Sequence, residues 1–368
     1  MSRDIEKFVV HVSDAVLDDL RERLGRSRLP DELDDAGWDY GIPTACVRDL
    51  VDYWREEFDW RAQEARLNDF DNLRADIDGQ AIHFLHARSP RPDAIPLLLT
   101  HGWPGSIVEF LDAIPLLTDT FHVVAPSLPG YGFSGPTRAR GWDVPRIATA
   151  FAELMARLGY ERYGAQGGDW GAQVATRIGA LDAQHCAGIH LNMPLGRRPK
   201  EPVELSGDDQ AGLDALAQFT RDESGYSLEQ STKPQTLGVA LNDSPAGLLA
   251  WIVEKFRTWS DCNGDPERVF TRDQLLTNVT TYWVTQTITS SARLYWEHMH
   301  SGDHPDYVAV PTGVARYPKE ILRFPRPWVE RAYNVTYWAD MPRGGHFAAM
   351  EQPSLFAADV AAFFRTVR

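Results

Sequence analysis

The sequence predicts an α/β fold: a mostly parallel sheet flanked by helices, with an inserted helical cap and an N-terminal helical arm. Three observations carry this expectation. Short apolar runs at 94–100, 121–125 and 188–191 have the length of buried strands. Helical patterns lie between them, as the long crossovers of a parallel sheet require. The alternation breaks over 195–305, which is polar with helical pieces, and resumes afterwards.

The elements follow in order. Residues 1–70 read as an arm packed on the core. Ser13 and Asp14 can cap a helix running to about Leu24, and Pro30 ends that region. A second helix is expected from about Pro43 to Arg61, with Val47, Leu50, Val51, Trp54 and Phe58 at helical spacing. Residues 73–85 alternate around Asp78-Gly79, a hairpin signature. The core is expected over 71–194 and 306–368. It takes in the strands AIPLLLT (94–100) and FHVVA (121–125), a helix from about Val144 to Leu158, and Tyr163-Gly164-Ala165 leading through a turn into another helix. The cap spans 195–305 and includes a helix over about 244–258, with Pro245 suited to a first helical position. Strands return at 307–311 and 334–338, and a last helix runs from about Ser354 to Val367.

Composition narrows the classes of function. The 368 residues suffice for one large domain with an insertion, and 43% hydrophobic with 24% charged residues is globular. A net charge of −15 disfavours nucleic acid and anionic membranes as partners. Three scattered cysteines, Cys46, Cys186 and Cys262, read as incidental thiols of a reducing compartment. With neither a signal-like start nor a membrane-length apolar run, a soluble cytoplasmic protein is expected. Twelve Trp and twelve Tyr point to an aromatic cavity for an apolar ligand.

Four features fall at strand ends, where open α/β sheets place their sites. Gly167-Gly168-Asp169-Trp170-Gly171 has the small-x-nucleophile-x-small form of a strand–turn–helix elbow, with Asp169 where the hydrolase version carries Ser. Helix capping by Asp would not explain glycines on both sides. His101-Gly102-Trp103-Pro104-Gly105-Ser106 follows a strand directly, and the backbone N–H groups of Trp103 and Trp170 could form an oxyanion hole. His346, in RGGHF after the strand at 334–338, stands last in the order nucleophile, acid, histidine. For the acid, Glu320 in RYPKE competes with Asp303, Asp306 and Asp340.

An Asp nucleophile is already charged at neutral pH and needs no base to attack. It suits displacement at saturated carbon, forming an ester that water activated by His346 would cleave. Halide or the oxygen of a strained epoxide could leave. An epoxide oxygen needs a proton donor, for which the cap offers Tyr226, Tyr282 and Tyr295. Trp103, Pro104, Trp170 and Tyr282 are the candidate substrate contacts.

The chain resembles soluble bacterial members of the microsomal-type epoxide hydrolase family, within the α/β-hydrolase superfamily. HGWPGS (101–106), QGGDWG (166–171), ALNDSPAGL (240–248), LLTNV (275–279), VPTG (310–313) and RGGHFAAMEQP (343–353) match in order, as does the arm with WDYG (38–41) and LVDYWR (50–55). The resemblance implies an α/β-hydrolase fold, Asp169 as nucleophile, His346 as base, Glu320 as its acid partner, and a tyrosine pair activating the epoxide. SGY at 224–226 and ARLY at 292–295 match the tyrosine motifs, ranking Tyr226 and Tyr295 above Tyr282. It implies a vicinal diol product, a small hydrophobic epoxide and water as the only partners, and no metal or organic cofactor. Detoxification and secondary metabolism both remain open as roles, and a homodimer is compatible with either. Membrane-bound relatives carry an N-terminal anchor that this chain is expected to lack. A haloalkane dehalogenase shares the Asp nucleophile, and Trp170 does not separate the two, whereas the tyrosines and arm favour the epoxide. A non-catalytic binding protein on the same scaffold would be expected to lack a triad member, and a serine esterase would need Ser in the elbow.

Overall fold

A computed structural model describes residues 5–303 and 307–367. Nine strands form one sheet: β1 (Ile5–Lys7), β2 (Asn72–Ile77), β3 (Gln80–Ala87), β4 (Ile95–Thr100), β5 (Phe121–Pro126), β6 (Tyr163–Gly167), β7 (Cys186–Leu191), β8 (Val308–Arg316) and β9 (Tyr333–Asp340). Their order is β1-β2-β3-β5-β4-β6-β7-β8-β9. The first three pair antiparallel up to β5, and all the pairs from β5/β4 onward are parallel. The sheet is therefore the mostly parallel one of an α/β-hydrolase fold. Leu97, Leu98, Val123, Val124, Ala165 and Ile189 are fully buried, which explains why these strands read as continuous apolar runs.

Strand register brings the motifs together. Thr100 pairs with Gly167, so the loops leaving β4 and β6 emerge side by side. Arg316 pairs with Asp340, and a bridge between Lys319 and Gly345 extends that alignment beyond β8 and β9. All four loops leave the carboxyl ends of parallel strands. Above them, six helices between β7 and β8 span Gly207–Asp222, Gly225–Thr232, Pro234–Leu241, Pro245–Thr258, Arg272–Thr285 and Ile288–Ser301.

Three features differ from the sequence expectation. The second arm helix stops at Glu56, and a third begins at Trp60, because the Asp59 carboxylate accepts from the Arg61 and Ala62 N–H groups and starts a new helix. Strand β1 has no sequence signal, being three partly exposed residues on the sheet edge. Strand β8 runs to Arg316, well past Pro311, because the register shifts around that proline, where a missing N–H is tolerated.

The arm grips the cap as well as the core. Arg23 pairs with Asp243 at 2.8 Å, Asp49 with Arg272 at 2.6 Å, and Tyr53 donates to Asp273 at 3.0 Å. No single helix among the described residues is long and apolar enough to cross a membrane.

Buried histidines tie the edge strands to the core. The His83 Nδ1 lies 3.0 Å from the Ser127 Oγ and its Nε2 lies 2.9 Å from the Asn72 Oδ1. Burial, with a smaller push from Arg74, drives its pKa down to about 3. The unfolded chain takes up this proton near pH ~6.5 while the native state refuses it, so stability falls as pH drops from there towards 3. Urea unfolding at pH 7 and pH 5 should show a loss of stability in the wild type that exceeds the loss in His83→Gln by about 2 kcal/mol.

Candidate active site

Strand β6 ends at Gly167, and Asp169 opens the helix Asp169–Leu181 with φ of +50°. A non-glycine residue in left-handed conformation is strained, and such strain recurs where a turn displays a nucleophile. The flanking glycines answer to close approach. A Cβ on Gly171 would stand 1.9 Å from the Thr100 carbonyl oxygen, and one on Gly167 2.1 Å from the Gly171 backbone. Only bare Cα atoms let the helix start this close to the end of β4.

The Trp103 N–H donates to the Asp169 Oδ1 at 2.8 Å. Trp170 N–H, the other expected oxyanion donor, is among the first four N–H groups of its helix, which have no intrahelical acceptor. The loop carrying Trp103 is held from the cap. Asn278 Nδ2 donates to the Pro104 carbonyl at 2.8 Å, Ser106 Oγ to the Asn278 Oδ1 at 2.7 Å, and Tyr282 OH to the Gly105 carbonyl at 2.7 Å. Of the four residues expected to touch substrate, Trp170 lines the cavity over Asp169, whereas Trp103, Pro104 and Tyr282 do not. Trp103 lines a smaller neighbouring cavity, and Pro104 and Tyr282 are committed to this loop, because a buried phenol and a buried carbonyl each need a partner.

On the other side, His346 Nδ1 donates to the Glu320 Oε1 at 2.7 Å, and its Nε2 lies 3.4 Å from the Asp169 Oδ2. Glu320 also accepts from the Ile321 N–H at 2.7 Å. The competing acids are engaged elsewhere: Asp340 with Arg316 at 2.6 Å, Asp303 with Arg177. Asp306 lies outside the described residues. Burial pulls the His346 pKa down, but the Glu320 charge and the hydrogen bonds and charge of Asp169 raise it well above the ordinary histidine value.

Tyr226 and Tyr295 face the same cavity as Asp169. Trp103 stacks on Tyr226 at 5.1 Å and meets Tyr295 edge-on at 5.9 Å, while Trp170 meets Tyr295 at 4.8 Å. Burial, then the charge of Asp169, raises the Tyr226 pKa above the ordinary range against a hydrogen bond with Tyr295 that lowers it, and burial, then Tyr226 and the charge of Asp169, raises that of Tyr295. Both hydroxyls therefore stay protonated and can donate hydrogen bonds to a ligand. The cavity measures about 240 Å³, and Trp170, Met193, Phe219, Met299 and Leu322 give it mainly apolar walls. Among the described residues, no group of three His, Cys, Asp or Glu is arranged to hold a metal ion.

Two supporting residues escaped the sequence reading. Lys255 is buried with its ammonium 5.1 Å from the Tyr226 ring and 6.0 Å from that of Trp259. Its signal was a cation between apolar residues on the buried face of a helix. Glu351 lies in the quoted motif around His346. Its Oε2 accepts from the Asp261 N–H at 2.9 Å and the Gly345 N–H at 3.0 Å, and its Oε1 from the Phe347 N–H at 3.1 Å. The His346 N–H donates to the Trp259 carbonyl at 2.9 Å. The loop that carries the histidine is thus built around one buried carboxyl.

Comparison with known proteins places these features in context. Residues 5–110 match the family model described as epoxide hydrolase N terminus, and residues 95–239 match that of the alpha/beta hydrolase fold. A Stigmatella aurantiaca relative assigned to epoxide hydrolysis is 48% identical, covering 99% of this chain and 86% of its own length. Epoxide hydrolase 1 of Sus scrofa is 40% identical over 98% of this chain and 88% of its own. The crystal structure of juvenile hormone epoxide hydrolase from Bombyx mori superposes with a TM-score of 0.93 at 34% identity, covering 99% of this chain and 95% of that one. The Aspergillus niger epoxide hydrolase gives 0.91 at 33% identity, covering 99% and 97%.

The Glu351→Gln variant sets an amide donor against backbone N–H groups. It should lose about 1–3 kcal/mol of stability in urea unfolding. Turnover should fall about tenfold or more as the histidine loop loosens.

Proposed function

The chain belongs to the microsomal-type epoxide hydrolase family and is an epoxide hydrolase, and from this premise we propose how its own residues divide the work. An epoxide and water are the reactants that membership implies. The observation that carries the assignment of roles is the placement of Asp169 under two buried tyrosines, with His346 at 3.4 Å on its other side.

Trp103 N–H holds the Asp169 Oδ1, which leaves Oδ2 to attack an epoxide carbon. Tyr226 and Tyr295 hydrogen-bond to the epoxide oxygen. As the C–O bond breaks, one of them gives its proton to the departing alkoxide. The ester that forms is neutral, and the negative charge has passed to the tyrosine that gave its proton, away from the carboxyl oxygen that faces His346. His346 then loses part of its support for the imidazolium and becomes available as a base. It takes a proton from water, whose oxygen attacks the Asp169 carboxyl carbon. Negative charge gathers on Oδ1, against the Trp103 and Trp170 N–H groups. Collapse breaks the bond from that carbon to Oδ2. Oδ2 departs with the diol, the imidazolium returns its proton to it, and the water oxygen stays on Asp169, whose remaining proton passes to the tyrosinate, so that carboxylate and phenol are both restored. Glu320 keeps the imidazole oriented and stabilises its charged form.

Peptide mass spectrometry of His346→Gln after exposure to aryl and alkyl epoxides tests this directly. An adduct of substrate mass is expected on the peptide carrying Asp169, and none in Asp169→Ala. Labelling by haloalkanes instead, with halide released, would overturn the epoxide chemistry. Tyr226→Phe and Tyr295→Phe should each slow ester formation by about 10²-fold or more, with smaller effects on its hydrolysis.

The pH dependence has a defined sign. Ester hydrolysis needs neutral His346, so its single-turnover rate should rise with pH. The midpoint should lie below the pKa of His346 in the free enzyme followed by NMR, because the Asp169 charge is absent from the ester. Equal values would remove Asp169 as the source of the difference.

A further inference from the structure

Beneath the nucleophile lies a second, separate cavity, of about 20 Å³, lined by Glu109, Asp169, His346, Thr100 and Gln166 among others. Of these, Asp169 alone also lines the substrate cavity. The volume suffices for a water molecule, which needs roughly 10–15 Å³ and two to four polar partners. Polar atoms there await one: Thr100 Oγ1 and Gln166 Oε1 are buried and find no hydrogen-bond partner among the described residues.

Glu109 has no part in the chemistry described so far. It sits on the short turn Ile107–Phe110, which Ser106 starts by accepting from the Val108 N–H at 3.2 Å. Its carboxyl lies against the bare Cα of Gly105, where a Cβ would stand 1.5 Å from Oε1. That contact accounts for the glycine in HGWPGS and directs the carboxyl inward. We propose that Glu109 is a positioning residue for the hydrolytic water, accepting a hydrogen bond from it while His346 accepts the other proton and the oxygen faces the Asp169 carboxyl carbon.

Burial, reinforced by the charges of Asp169 and Glu351 and opposed by His346, raises the pKa of Glu109 to about 8. A neutral carboxyl suits this place. Its carbonyl oxygen accepts a hydrogen bond without competing with His346 for the proton, and it adds no charge against the forming oxyanion. The inference rests on the ester mechanism proposed above.

Rapid-quench mass spectrometry on full-length protein separates the two steps, following the Asp169 ester as it appears and as it decays. In Glu109→Met the ester should form within about threefold of the wild-type rate but decay about 10- to 100-fold more slowly. kcat and KM should then fall together, leaving kcat/KM unchanged. Glu109→Gln keeps a neutral acceptor and should restore decay to within about fivefold. Glu109→Asp, which withdraws the carboxyl by one methylene, serves if the methionine variant does not fold, and should also accumulate ester. Ester decay at the wild-type rate in the Met or Asp variant would overturn the proposal. So would an equal slowing of both steps. A wild-type enzyme that forms no ester on Asp169 would refute the mechanism itself, a result distinct from either.

Discussion

One negative charge organises this molecule. Asp169 is held in a strained backbone conformation at a helix start, with one oxygen tied to the Trp103 N–H. Two phenols, an imidazole and a half-buried glutamate surround it, and its charge raises the pKa of each. The resting site therefore holds its protons. In the proposed mechanism the ester leaves Asp169 neutral and puts the charge on the tyrosine that gave its proton, so the histidine beside the carboxyl releases its own proton more readily. A single covalent event thus turns the histidine from a proton holder into a base.

The carboxylate is also a partition. In the proposed mechanism substrate lies on one side under the tyrosines, and the small cavity on the other is lined by His346 and Glu109. Both tyrosines and His346 are buried, and in a medium of low dielectric a change of charge on Asp169 is felt strongly by its neighbours.

Much of this was legible in the chain, for identifiable reasons. The elbow is readable because the closeness of β4 to the helix start forbids side chains at Gly167 and Gly171. The apolar strands are readable because a parallel sheet is covered on both faces. Spacing alone left the choice among acids open, since it depends on the register that pairs Arg316 with Asp340 and commits that carboxylate, and only the family resemblance singled out Glu320. Without the motifs around Tyr226 and Tyr295, Tyr282 looked like them for a similar reason. An aromatic residue in a cap sequence carries no sign of whether its hydroxyl meets a backbone carbonyl or an open cavity. Glu109 and Glu351 were invisible as partners because their roles arise between segments far apart in the chain, although both stand near quoted motifs. The cap's attachment to the arm likewise rests on pairs such as Asp49 with Arg272, some 220 positions apart, which no local pattern encodes.

That attachment has a consequence for how such a protein can diversify. The cap is tied to the arm through Arg23 and Asp49 and to the Trp103 loop through Asn278, and it forms a mould over the nucleophile. Four of the mould's wall residues, Met193, Phe219, Met299 and Leu322, are not assigned a part in the chemistry, whereas Trp170, Tyr226 and Tyr295 are both wall and machinery. Changes of wall residue can reshape the accepted molecule while the reaction machinery stays intact. Two of the four are methionines, whose unbranched side chains repack readily around new shapes. Substrate range can thus drift at these four positions while the residues assigned to the chemistry stay in place.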